Sequence, residues 1–338
     1  MTLVNTQCRL AARPVGLPKR TDWEIVEEPP AEPGEGQVLV EVQYISVDPA
    51  MRGWMNAGRS YVPAVEIGEV MRASGIGRVV QSRSADYAAG DHVYGIFGVQ
   101  RFAVASGEAL TRVEISQAPA PVQLGVLGIS GLTAYFGLLD IGKPEPGQTV
   151  VVSGAAGAVG SVAGQIARIQ GCRVIGIAGG SEKCRWLVEE LGFDVALDYK
   201  AEGLRSELRK AAPDGIDVYF DNVGGEILEL ALSNLARGAR IVLSGAISQY
   251  NATEAPRGPA NYMQLLVARA SMTGFVIFDF AKRYGEGREA MAGWLKSGEL
   301  RSREEVVSGG VEDFPDVLLR LFRGENTGKL MLALGSSN

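Results

Sequence analysis

"TVVVSGAAGAVGSVAGQIA", residues 149–167, changes period at its midpoint. Thr149 to Val152 favour a strand, whereas from Ala158 onward the apolar positions fall three and four apart, as on one face of a helix. Between them Gly154, Gly157 and Gly160 leave the backbone bare at the strand exit and the helix entry. Such a turn lets N–H groups approach a pyrophosphate, and the helix N-terminus adds roughly half a positive charge. The spacing is G-x-x-G-x-x-G rather than G-x-G-x-x-G, so its meaning depends on what surrounds it.

The surroundings repeat the same change of period. "RVIGIAG" precedes "SEKCRWLVEELG", "DVAL" precedes "GLRSELRKAA", and "DVYFDNVGG" precedes "EILELALSNLARG". "ARIVLSG" then leads through a longer loop to "NYMQLLVARA" and "SMTGFVIF". Six strands joined by helices predict a six-stranded, doubly wound parallel sheet, because parallel strands need crossover connections. The chain before about residue 128 differs in texture: "QVLVEVQYISVDP", "SGIGRVVQS", "GDHVYGIFG" and "QRFAVAS" are short β-like runs broken by Gly and Pro. With 338 residues the chain exceeds a single core. The expected division is a mostly β domain of residues 1–128 and 304–338 around a dinucleotide-binding domain of 129–303, with "GKLMLAL" as a late strand able to rejoin the first.

A net charge of −6 offers no long-range attraction to nucleic acid or an anionic membrane, so an anionic ligand must be held by local groups. No apolar run approaches the roughly 18 residues that span a bilayer, and the N-terminal residues carry no secretory pattern. Cys8, Cys172 and Cys184 are scattered and odd in number, which argues for reduced thiols and a cytoplasmic protein.

The second strand decides which nucleotide fits. A site selective for NAD carries an Asp or Glu about 20 residues beyond the glycine turn, where it accepts the ribose hydroxyls. Here "VIGIAGGSEKC" places Gly179, Gly180 and Ser181 at that tip, and Lys183 follows as a candidate partner for a 2′-phosphate, its alternative role being a solvated helix charge. NADPH is therefore the expected cofactor, although Glu182 adjoins the lysine.

The chain as a whole resembles the zinc-independent medium-chain dehydrogenase/reductases, in the branch of prostaglandin reductases, leukotriene dehydrogenases and alkenal double-bond reductases that includes bacterial curcumin-reductase-like proteins. "SVDPAMRGWM" (46–55), "YVPAVEIGEVM" (61–71), "GLTAYFGLL" (131–139), "GAAGAVGSVAGQIA" (154–167), "LGFDVALDYK" (191–200), "YFDNVGGE" (219–226), "SGAISQYN" (244–251) and "GENTGKLML" (324–332) carry the likeness. It implies a GroES-like catalytic domain, a homodimer, and cofactor contacts at Gly157, Ala158, Val159, Gly160, Lys183, Tyr199, Asn222, Ser244, Gly245, Ala246, Ile247, Phe275, Val276, Ile277 and Asn326. Many relatives have Tyr where this chain has Ala50, so a wall of the substrate pocket is altered.

No metal is expected. One His and three scattered Cys without a C-x-x-C pair fall short of the roughly three ligands a catalytic zinc needs. The chemistry that fits is hydride transfer from the nicotinamide to the β-carbon of a small α,β-unsaturated ketone or aldehyde, with charge collecting on the carbonyl oxygen as an enolate. Tyr250, in the loop after the fifth strand, is the candidate donor to that oxygen, its alternative role being ring packing. Tyr61 is a second candidate donor or a pocket wall. Two other readings remain at this stage: an NADPH quinone oxidoreductase, and an NADPH-binding protein without turnover.

Overall fold

A computed structural model describes residues 3–255 and 257–335. The chain divides into two compact units. One holds the residues up to Leu124, Glu304–Asn326 and those from Leu330 onward; the other holds Gly125–Arg303 with Thr327–Lys329.

The second unit is built on a parallel sheet of β1 (Thr149–Ser153), β2 (Arg173–Ala178), β3 (Val195–Asp198), β4 (Ile216–Asp221), β5 (Leu235–Leu243) and β6 (Ser271–Gly274). Its spatial order is β3-β2-β1-β4-β5-β6. The order in which successive strands are added reverses between β1 and β4, all strands staying parallel, which places a crevice at the carboxyl ends of those two strands. In register, Val151 lies beside Ile175 on one side and Tyr219 on the other.

Continuous apolar strands require cover on both faces. Helices α1 (Ala158–Ile169), α2 (Ser181–Glu189), α3 (Leu204–Ala211) and α4 (Gly225–Leu232) supply much of it. Val151, Ile175, Ile177, Tyr219 and Ile241 share one core with Leu208 of α3 and with Leu228 and Leu232 of α4. On the opposite face Phe193 enters between α1 and β2. Gly164 and Gly176 leave room for its ring, and a Cβ at Gly176 would lie 2.9 Å from it.

Two local departures from the sequence pattern have physical causes. The helix-like run "EILELALSNLARG" ends at Leu232, and Leu235–Arg237 already belong to β5. Ser233 Oγ and Asn234 Nδ2 take backbone carbonyls at the junction, at 2.8 and 3.1 Å, and a register shift near Gly238 absorbs the extra residues. Gly137–Gly142 forms a π-helical turn closed by Lys143 in left-handed geometry. A Cβ at Gly137 would lie 2.5 Å from Phe275 Cζ, so this turn accommodates the Phe275 ring.

The first unit is mainly an antiparallel sheet. Its longest strand, Gln37–Ser46, pairs with Ser74–Ser82, with Phe102–Ser106 and with the late strand Lys329–Leu334. A separate hairpin pairs Asn5–Leu10 with Trp23–Glu28. The core of this unit gathers Leu10, Ile45, Met51, Met71, Phe314, Leu318 and Leu332, so segments from both ends of the chain fill it.

Candidate functional site

At the exit of β1 the chain turns on Gly154, whose φ of +57° is strained for any residue with a side chain. Ala155 N–H donates to the Ile177 carbonyl at 3.0 Å and Gly157 N–H to the Gly154 carbonyl at 3.0 Å, which fixes the turn against β2. Helix α1 then starts on Gly157 with no side-chain cap. The first N–H groups of a helix have no intrahelical acceptor, so those of Ala158, Val159 and Gly160 are offered to a ligand. A Cβ at Gly160 would lie 2.8 Å from Ala155 Cα, and this close approach keeps the helix start pressed on the turn. From the tail, Gly328 N–H donates to the Ala156 carbonyl at 2.8 Å.

At the tip of β2, Gly179 and Gly180 precede α2, and Lys183 lies in its first turn, half-buried. Gly180 N–H donates to Asp198 Oδ1 at 2.8 Å, and Lys200 N–H donates to the same oxygen at 2.9 Å; these backbone bonds hold the Asp198 carboxyl below the usual carboxylate range. The carboxylate is thus occupied in fixing the tip. Gly179 also admits Tyr199: a Cβ there would lie 2.8 Å from the ring and 3.0 Å from its hydroxyl. The acid that would select a free ribose has no room at Gly179. These features fit a phosphorylated ribose beside Lys183 and Tyr199, with the pyrophosphate at the start of α1.

The switch point carries a polar network that sequence reasoning missed. Asp221 and Ser153, at the ends of β4 and β1, are both fully buried. Asp221 Oδ1 accepts from Ser153 Oγ at 2.8 Å, from Tyr219 Oη at 3.0 Å, and from the N–H groups of Val223 and Gly224, each at 3.0 Å. Its other carboxylate oxygen has no partner. Burial, reinforced by the Asp221 charge, pushes the Tyr219 hydroxyl well above the ordinary tyrosine range. Asn222 is oriented by Ser153, its N–H donating to Oγ at 2.9 Å and its Nδ2 to the carbonyl at 2.7 Å. One signal was legible: an Asp closing the apolar run "VYF" at a strand end.

The loop after β5 is tethered to the same strand end. Ser244 and Gly245 N–H groups donate to the Asp221 carbonyl at 2.9 and 3.0 Å, Ile247 N–H to that of Asn222 at 3.2 Å, and Ser248 N–H to that of Val223 at 3.2 Å. Tyr250 folds back over this loop, where its hydroxyl oxygen accepts the Ala246 N–H at 3.2 Å. Beyond β6, Phe275 packs edge-on against Phe280, which stacks on Phe136 at 4.9 Å between ring centroids.

The carboxyl edge of one sheet therefore carries Gly157 to Gly160, Asn222, the 244–247 stretch and Tyr250 at β1, β4 and β5, with Lys183 and Tyr199 at β2 and β3 and Phe275 to Ile277 at β6. Tyr61 and Asn326 belong to the other unit. Tyr61 is 54% exposed, and its hydroxyl accepts from Trp54 Nε1 at 3.4 Å. A hollow of about 250 Å³ lies elsewhere, where Gln165, Arg168 and Gly192 line it near the carboxyl ends of α1 and α2. Its polar groups are used internally: Gln165 Nε2 donates to the Arg301 carbonyl at 3.0 Å and Arg168 Nη2 to that of Glu299 at 2.7 Å. Among the described residues no three His, Cys, Asp or Glu side chains converge to hold a metal ion.

Residues 6–113 match the family described as the N-terminal domain of oxidoreductase, and residues 158–293 the family described as zinc-binding dehydrogenase. The chain is 43% identical to the NADPH-dependent curcumin reductase of Escherichia coli over 99% of its length and 98% of that protein. It is 37% identical to the 2-alkenal reductase (NADP(+)-dependent) of Nicotiana tabacum over 96% of each. The crystal structure of CurA in complex with NADPH from Vibrio vulnificus superposes with a TM-score of 0.94 at 42% identity, covering 98% of this chain and 100% of that one.

Proposed function

This chain belongs to the zinc-independent medium-chain dehydrogenase/reductases, in the branch of the prostaglandin and alkenal double-bond reductases; on that premise we propose that it uses NADPH to reduce the carbon–carbon double bond of small α,β-unsaturated ketones or aldehydes. The bound cofactor supplies the hydride, which adds to the β-carbon of the substrate. Every other requirement falls to the protein. The N–H groups at the start of α1 hold the pyrophosphate, Lys183 and Tyr199 face the 2′-phosphate, and Asn222, Ser244 to Ile247 and Phe275 to Ile277 border the remainder of the nucleotide.

The observation that carries the chemical reading is the hydroxyl of Tyr250. Its oxygen accepts the Ala246 N–H, and accepting that bond polarises the phenol and makes it a stronger donor. As hydride reaches the β-carbon, charge moves to the carbonyl oxygen, where that proton stabilises the enolate. Placement is most of the remaining catalysis: the double bond must sit in line with the ring that donates the hydride.

The assembly that fits is a homodimer in the cytoplasm. Strand β6 is a sheet edge, and next to it Tyr262, Met263, Leu266 and Val267 are each more than half exposed, an apolar patch suited to a second copy of this chain. Cys8 and Cys172 are unpaired and buried, with burial pushing their thiols up to about 12 and about 11, as suits a reducing compartment. Among the described residues no helix is long and apolar enough to cross a membrane.

Steady-state oxidation of NADPH with an enone, an enal and a quinone tests the reaction class: turnover of the first two is expected, and turnover of the quinone alone contradicts it. Tyr250→Phe should lower kcat about 10²–10³-fold with NADPH affinity nearly unchanged. An unaltered kcat would remove the tyrosine from the mechanism. Lys183→Ala should weaken NADPH by about 1.5–3 kcal/mol and barely affect NADH, and equal losses for the two cofactors would refute its role. Light scattering should return the mass of two chains; a monomer mass contradicts the dimer.

A further inference from the structure

The Asp221 side chain is fully buried, and the residue is the point at which three segments meet. Its side chain binds the end of β1 through Ser153 Oγ and the turn into α4 through the Val223 and Gly224 N–H groups. Its own carbonyl accepts both Ser244 and Gly245, which open the loop that ends in Tyr250. The next two carbonyls, of Asn222 and Val223, take the following N–H groups of that loop, and Val223 also accepts Ser248 Oγ at 2.6 Å. The N–H groups of Ser244, Gly245, Ile247 and Ser248 therefore all end on residues 221–223. The carboxylate holds Val223, and Gly224 beyond it, through their N–H groups, and it binds Ser153, which in turn holds Asn222.

We propose that Asp221 is the positioning residue of the site: the buried carboxylate sets residues 221–223, these set the 244–250 loop, and the loop sets the Tyr250 hydroxyl. This inference rests on the reading of Tyr250 given above. A structural network alone does not require this distribution of bonds. Four donors converge on Oδ1 while the second carboxylate oxygen is buried without a partner, so the group is arranged to orient one turn rather than to satisfy its own hydrogen-bonding capacity. Hydrogen bonds to a carboxylate are about twice as strong as those to a neutral acceptor, so an amide at the same place holds the turn more loosely. The loss is greatest where geometry matters most, because a displacement near 1 Å at the reacting atoms costs on the order of 10²-fold in rate.

Asp221→Asn tests this, with Tyr250→Phe as the second arm of a double-mutant cycle. The expected result is a folded variant whose kcat on an enone falls on the order of 10²-fold when Tyr250 is present and changes little when Phe replaces it, because the carboxylate acts through that hydroxyl. Equal losses in both backgrounds, or no loss in either, overturn the proposal. Ser153→Ala, which removes one donor and leaves the acid in place, should give a smaller loss with the same dependence on Tyr250, and it serves if the Asn variant does not fold. Amide hydrogen exchange on the protein without cofactor separates this idea from the assignment of function. Faster exchange at Val223, Gly224, Ser244 and Gly245 in Asp221→Asn supports the tether even if the wild type turns over no enone. Unchanged protection at those four amides overturns it whatever the activity.

Discussion

The first N–H groups of α1 have no side chain to satisfy them, and this unmet capacity at the edge of the sheet is what the second unit is arranged around. Gly157 caps the helix with backbone alone, Gly154 turns where a side chain would be strained, and Gly160 lets the helix start lie on the turn. A net charge of −6 would repel an anion at a distance. The attraction has to be local, and a helix N-terminus at a topological switch point provides it over the range where it counts.

The same crevice has a second side, made of hydrogen bonds rather than of exposed donors. Ser153 and Asp221 close the ends of the two central strands, and the loop bearing Tyr250 hangs from the latter. The two sides have opposite demands. On the proposed reading the glycine turn must be bare so that a ligand can approach, whereas the loop must be tied down so that the Tyr250 hydroxyl keeps its place. Asp198 repeats the second solution at the tip of β2, where it fixes Gly180 and leaves the flanking position open to Tyr199.

Much of this was readable from residues alone. Six apolar runs separated by helical periods gave the parallel sheet, and the missing acid at Gly179 pointed to the phosphorylated cofactor before any relative was considered. The tether of the 244–250 loop was not readable, because it is made of backbone groups meeting across strands, and backbone groups leave no mark in a sequence. The π-helical turn at Gly137–Gly142 was hidden for a related reason: it exists to receive the ring of Phe275, more than a hundred residues away. The early start of β5 was misread because "LAR" continues a helical period, while the junction at Ser233 and Asn234 ends the helix by hydrogen bonds to earlier carbonyls.

The claim that binds these parts together is that the crevice sets a reduced nicotinamide against an activated double bond. Mass spectrometry of the product formed from an α,β-unsaturated ketone and NADPH deuterated at the transferring C4 position tests it most directly. The account predicts a saturated ketone carrying a single deuterium at the former β-carbon. A saturated product without the label there, or a label on the carbonyl carbon of an alcohol, would contradict it.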